Sequence, residues 1–77
     1  MEQTSLQKVR LKKGLSQKKL AEKSGVSVRT IECYEQRSRP IDGARLETLC
    51  ELSKALGCKI VDILESQELI EKFNATK

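Results

Sequence analysis

QKKLAEKSGVSVRTIECYEQ, residues Gln17 to Gln36, holds two short helical segments with a three-residue turn between them. Ser16 is a candidate N-cap for the first segment, Gln17 to Lys23, which turns Leu20 and Ala21 inward. Ser24-Gly25-Val26 is the turn, and Gly25 supplies a φ > 0 conformation that residues carrying a Cβ resist. Ser27 caps the second segment, which runs to Gln36 and buries Ile31 and Tyr34. A turn this short forbids antiparallel stacking, so the two helices must cross steeply. Ala21 is small where the second helix comes close, and Val26 fits the wedge between the two.

The flanking sequence continues the helical punctuation. Thr4-Ser5-Leu6-Gln7 fits a T-x-x-Q capping box, with Gln7 reaching back to Thr4. The helix it opens carries Leu6, Val9 and Arg10 on one side and stops at Gly14. Arg37 to Gly43 reads as a loop around the only proline, Pro40. Asp42 is the expected cap of a fourth helix from Ala44 to Leu56, with Leu46, Leu49, Leu52 and Leu56 on its apolar face and Gly57 closing it. Ile60, Ile63 and Leu64 predict a short fifth helix. Ser66 to Lys77 is polar apart from Leu69, Ile70 and Phe73. Alternating β-branched runs are absent, so the fold class is all-α.

Composition narrows the function. The chain has 77 residues, room for one small domain, and Leu, Ile, Val and Phe make up 20 of them. That exceeds the roughly one-fifth below which disorder is the better reading. There is no histidine and no glycine-rich phosphate loop, so an enzyme lacks its commonest general base and none is expected. No cofactor or metal is expected either. Cys33, Cys50 and Cys58 are odd in number and form no C-x-x-C pair, which suits reduced thiols rather than a disulfide framework or a zinc site. Met1 to Lys13 is polar and charged, unlike a secretory signal. No stretch approaches the ~18 apolar residues of a membrane span. A cytoplasmic protein with no membrane contact is the expectation.

The net charge of +4 is unevenly placed. Residues 1–45 hold eleven Lys and Arg against five Asp and Glu, whereas residues 46–77 hold four against six. A basic half joined to an acidic half suggests one face for a polyanion and another for a different contact.

The run Gly14-Leu15-Ser16-Gln17, Leu20-Ala21, Gly25-Val26-Ser27, Ile31 and Tyr34-Glu35 resembles the phage repressor/Cro type of helix-turn-helix, the XRE family. Leu46-Glu47-Thr48-Leu49, Leu52, Ala55-Leu56-Gly57 and Ile63-Leu64 look like the same family's fourth and fifth helices. The resemblance covers Leu6 to Leu64. It implies a compact five-helix bundle of the lambda repressor-like kind and sequence-specific binding of double-stranded DNA in a bacterium or phage, at the nucleoid. Three positions depart from the family pattern. Ser53 replaces a small apolar residue and can back-bond to a carbonyl. Cys33 replaces a polar amide or hydroxyl, and Lys59 replaces a helix cap, so the fifth helix is expected to start loosely.

In a helix-turn-helix one helix lies in the major groove with its N-terminal residues at base edges. Here it begins at Ser27, and its outward positions are Ser27, Val28, Arg29, Glu32, Cys33 and Gln36. Arg29 is the best candidate for base reading, because a guanidinium bonds bidentately to guanine O6 and N7. Val28 either meets a thymine methyl or folds back on the turn. Cys33 lies one turn beyond Arg29, where it approaches bases, senses oxidation or does neither. Ser27 both caps and is placed for DNA; Glu32 either accepts from cytosine N4 or pairs with Arg29 or Gln36. In the family, the glutamine at Gln17 bonds a phosphate and braces the reading helix. Lys18, Gln36, Arg37 and Arg39 are further phosphate candidates, with Lys8 and the backbone near Gly43 and Ala44 adding to them. Phosphate contacts set register but carry no base information. The family often pairs the positions of Arg10 and Glu35, so a partly buried salt bridge is expected there.

These readings divide the chain into a DNA-binding domain, residues 1–65, and a C-terminal tail, residues 66–77. Leu69, Ile70 and Phe73 are either local packing or a homodimer contact. The expected function is a transcriptional regulator, a repressor acting as a homodimer on a near-palindromic operator. The alternative is an antitoxin or adaptor whose main partner is another protein.

Overall fold

Hydroxyl side chains start the first three helices. Thr4 Oγ1 accepts from Gln7 N–H at 3.1 Å, Ser16 Oγ from Lys19 N–H at 3.0 Å, and Ser27 Oγ from Thr30 N–H at 3.2 Å. Each bond satisfies one of the four N–H groups that a helix start leaves without a partner. A computed structural model, which describes residues 3–75, shows the helices that result. They are α1 (Ser5–Lys12), α2 (Gln17–Ser24), α3 (Val28–Glu35), α4 (Leu46–Leu56) and α5 (Gln67–Ala75). Short 3-10 turns lie at Ile41–Gly43 and Ile60–Asp62. Among the described residues there is no strand, and the fold is the expected all-α bundle of five helices.

α2 packs against both α3 and α4, and α1 against α3 and the Ile60–Asp62 turn. The core formed at their junction is aliphatic apart from Tyr34. Leu6, Leu20, Ile31, Leu52, Ile63 and Leu64 are fully buried, and Val9, Leu15, Ala21 and Val26 pack around them. Gly25 closes α2 at φ 76° and Gly57 closes α4 at φ 67°. These are the left-handed positions where glycine is needed. Ser24 is buried, and its Oγ accepts from Val26 N–H at 3.1 Å, which tightens the turn between α2 and α3.

Several expectations are corrected. α4 begins at Leu46 rather than Ala44, and no side chain caps it. Asp42 does not serve that end: its Oδ1 accepts from the N–H groups of Glu65 at 2.9 Å and Ser66 at 3.1 Å. The chain bends into a 3-10 turn at Ile41 because that side chain, 2% exposed, drops into the core. Leu46, expected on the buried face of α4, is 61% exposed at the first position of that helix. In place of a helix over Ile60 to Leu64 there is a 3-10 turn at Ile60–Asp62, and the fifth helix, Gln67–Ala75, comes from the segment read as a tail. Lys59 does not leave that turn loose, since Asp62 Oδ2 accepts its N–H at 3.0 Å. Gln7 makes no return bond to Thr4. Ser53 Oγ does donate back to the Cys50 carbonyl, at 3.1 Å, as its position within α4 suggested.

α5 packs on the Ile60–Asp62 turn. Leu69 and Ile70 are half-buried against the core, so part of each serves local packing and part stays open. The side chain of Phe73 lies outside the described residues.

Candidate nucleic-acid interface

The inner face of α3 is fixed by Ile31, Tyr34 and Glu35, all buried. Glu35 is the strongest of these anchors. Arg10 Nε donates to its Oε2 at 2.7 Å and Arg10 Nη2 to its Oε1 at 2.9 Å, a bidentate pair with side chains 9% and 3% exposed. Arg10 Nη1 also donates to the Leu15 carbonyl at 2.8 Å, and Gln17 Nε2 donates to Glu35 Oε1 at 3.0 Å. Both ions are therefore hydrogen-bonded on several sides, which a buried pair needs to offset desolvation. The pair expected between Arg10 and Glu35 is present, and it ties α1, α2 and α3 to one point.

Fixing that face turns the other one outward. Ser27, Val28, Arg29 and Gln36 are exposed, while Glu32 and Cys33 are half-buried. Val28 is 41% exposed, so it is not sealed beneath the turn. The Ser27 hydroxyl lies 2.8 Å from the Thr30 hydroxyl in addition to capping the helix. Among the described residues neither Arg29 nor Glu32 takes part in an ion pair, so the anticipated link between Glu32 and Arg29 is not made.

The surrounding cations differ in freedom. Lys18 and Arg39 are exposed, and Gln17 is half-buried with one amide N–H on Glu35. Arg37, two residues past α3, adopts φ 61°. That is an uncommon conformation for a residue with a Cβ. Its Nη2 donates to Glu65 Oε1 at 3.0 Å. Glu65 was not a sequence-predicted site residue. Nothing local to it marks the role, because its partners lie 28 and 60 residues away.

The cysteines are free thiols. Burial pushes the Cys58 thiol up, Asp62 adds to that and Lys13 opposes it. A raised thiol is a poor nucleophile at neutral pH. Lys12, Lys13 and Lys59 line a groove with Cys58. They lie at the C-terminal ends of α1 and α4, where helix carbonyls favour cations. No described group of His, Cys, Asp and Glu could hold a metal ion. Among the described residues no helix is long and apolar enough to cross a membrane.

The arrangement is two short helices crossed through a glycine turn, with the second presenting an arginine that has no ion pair among the described residues. A family model described as helix-turn-helix matches residues 6–63. The chain belongs to the XRE-type helix-turn-helix family. No curated protein and no solved structure matches it. Membership makes this helix-turn-helix protein a DNA-binding protein. The match takes in α1 to α4 and the Ile60–Asp62 turn, and it stops short of Glu65 and α5.

Proposed function

We propose that this helix-turn-helix protein is a transcriptional repressor that binds a near-palindromic operator as a homodimer. The observation that carries the reading is Arg29, exposed at the N-terminal end of α3 and without an ion-pair partner among the described residues. Its guanidinium reads a guanine through O6 and N7. Val28, exposed beside it, meets a thymine methyl; Ser27, Glu32 and Cys33 complete the reading face. Gln17, Lys18, Gln36, Arg37 and Arg39 hold the phosphate backbone. Gln17 keeps one amide N–H for Glu35 and has the other for a phosphate, at the N-terminus of α2 where the helix dipole favours an anion.

Residues 1–65 form the DNA-binding unit, and residues 66–77 carry the contact between protomers. The half-open Leu69 and Ile70 of α5 supply its apolar part. Two-fold symmetry sets the two reading helices about 34 Å apart, over half-sites about ten base pairs apart. Occupying a promoter in this way blocks transcription with no further activity.

Two substitutions separate reading from holding. Arg29→Ala is expected to lose about 1–3 kcal/mol of preference at one base position in each half-site, with the fold intact. Arg37→Ala should weaken binding to all sequences alike. Titrating each variant against a panel of single-base operator changes measures both. An unchanged base preference in Arg29→Ala means that α3 is oriented differently on the DNA.

A further inference from the structure

We propose that Glu65 is an internal competitor for the DNA backbone, holding the Arg37 guanidinium that a phosphate takes in the complex. The proposal rests on the reading of Arg37 as a phosphate contact. Carboxylate and phosphate offer a guanidinium the same kind of charged, forked acceptor. Glu65 Oε1 fills that place at 3.0 Å from Arg37 Nη2, with side chains 43% and 28% exposed, so the pair is open to an incoming anion.

An ordinary surface glutamate would swing away as a phosphate approached. Glu65 is held. Its Oε2 accepts from Ser5 N–H at 2.7 Å, at the start of α1. Its own N–H donates to Asp42 Oδ1 at 2.9 Å, and the next residue, Ser66, donates to the same oxygen at 3.1 Å. Arg37 is held as firmly from the other side. Its N–H donates to the Tyr34 carbonyl, while Ser38 and Arg39 both donate to the Cys33 carbonyl. The exchange then falls to the arginine side chain, which turns from the carboxylate to the phosphate.

The charge around the pair fits competition. Arg37, Arg39, Asp42 and Glu65 line one hollow beside Tyr34 and Pro40. Two cations and two carboxylates cancel where a phosphate would arrive. Burial alone would raise the Glu65 carboxyl, but the bonds from Ser5 and Arg37 outweigh it and hold the group below its ordinary value. It stays ionised throughout the neutral range, and its repulsion of a phosphate is always present. Glu65 lies just beyond the family match, at the junction with α5. A residue outside the matched segment thus reaches back to the loop after α3 and sets its affinity.

The test uses Glu65→Gln, which keeps the shape and an oxygen for Ser5 N–H while removing the charge. Dissociation constants for a short mixed-sequence duplex are measured with the full chain, Glu65→Gln, Arg37→Ala and the double variant, at several salt concentrations. Glu65→Gln should bind about two- to fivefold tighter, the scale of one surface ion pair. Its dependence of log K on log salt should steepen by about one phosphate contact. Arg37→Ala should weaken binding, and Glu65→Gln should add nothing in its background. A Glu65→Gln protein that binds no tighter, while Arg37→Ala still weakens binding, overturns the competition. Equal tightening without Arg37 also overturns it, since the effect is then one of general charge. An Arg37→Ala protein that binds normally instead removes the phosphate reading of Arg37. Thermal melts confirm folding. Should Glu65→Gln not fold, Glu65→Asp, whose oxygens retreat from Arg37, must give a smaller tightening, and the absence of one counts against the proposal.

Discussion

Arg10→Ala is expected to remove most of the stability of this domain. The substitution leaves Glu35, with its side chain 3% exposed, charged and held only by the Gln17 amide. Breaking one side of a buried pair costs about 3–5 kcal/mol, because the remaining ion keeps its desolvation penalty and loses its counter-charge. At roughly 0.05–0.15 kcal/mol per residue, a chain of this size has a total stability of comparable magnitude. The variant should therefore show a much lower urea midpoint by circular dichroism and a large unfolded fraction at 37 °C. Replacing both partners with methionine should recover much of the loss, since no charge is then stranded. An Arg10→Ala protein within about 1 kcal/mol of the parent would show that the Ile31 and Tyr34 packing alone holds α3.

The second large effect is on binding. If each protomer neutralises about four phosphates, a dimer releases counterions with a slope of log K against log salt near −7. Raising salt from about 50 to about 200 mM then weakens binding by about four orders of magnitude. Fluorescence anisotropy with an operator duplex across that range measures the slope. Half the slope would indicate one protomer on the DNA. A salt-independent affinity would remove the electrostatic half of the proposed contact.

Much of this architecture is legible in the sequence because it is local. The Ser16 and Ser27 caps, the Gly25 turn and the inward Leu20, Ile31 and Tyr34 follow from spacing along two adjoining helices. The Arg10–Glu35 pair spans 25 residues, and its expectation rests on two charged residues falling among inward apolar neighbours and on resemblance to a family that often pairs those positions. What escaped reading was decided by distant partners. Asp42 looked like the cap of the helix that follows it, yet the N–H groups of Glu65 and Ser66 claim its carboxylate. Ile41 sits in a stretch punctuated by Pro40 and Gly43 that reads as loop, yet it belongs to the buried core through contacts that local spacing does not show. Gln67 to Ala75 reads as a tail despite helix-compatible spacing at Leu69 and Ile70, because its support, the core and the Ile60–Asp62 turn, is not visible in the segment itself. The outward face of α3 was read from helical phase alone. That phase holds at Val28 and Arg29, while Glu32 and Cys33 are more covered than a free helix would leave them.

Selection of bound sites from random duplex DNA, using the intact protein, tests the central claim most directly. The predicted result is an enriched near-palindrome, with two half-sites about ten base pairs apart and a guanine in each half whose enrichment is lost in Arg29→Ala. A selected pool with no enriched sequence, or with one unrepeated half-site indifferent to Arg29, would contradict it.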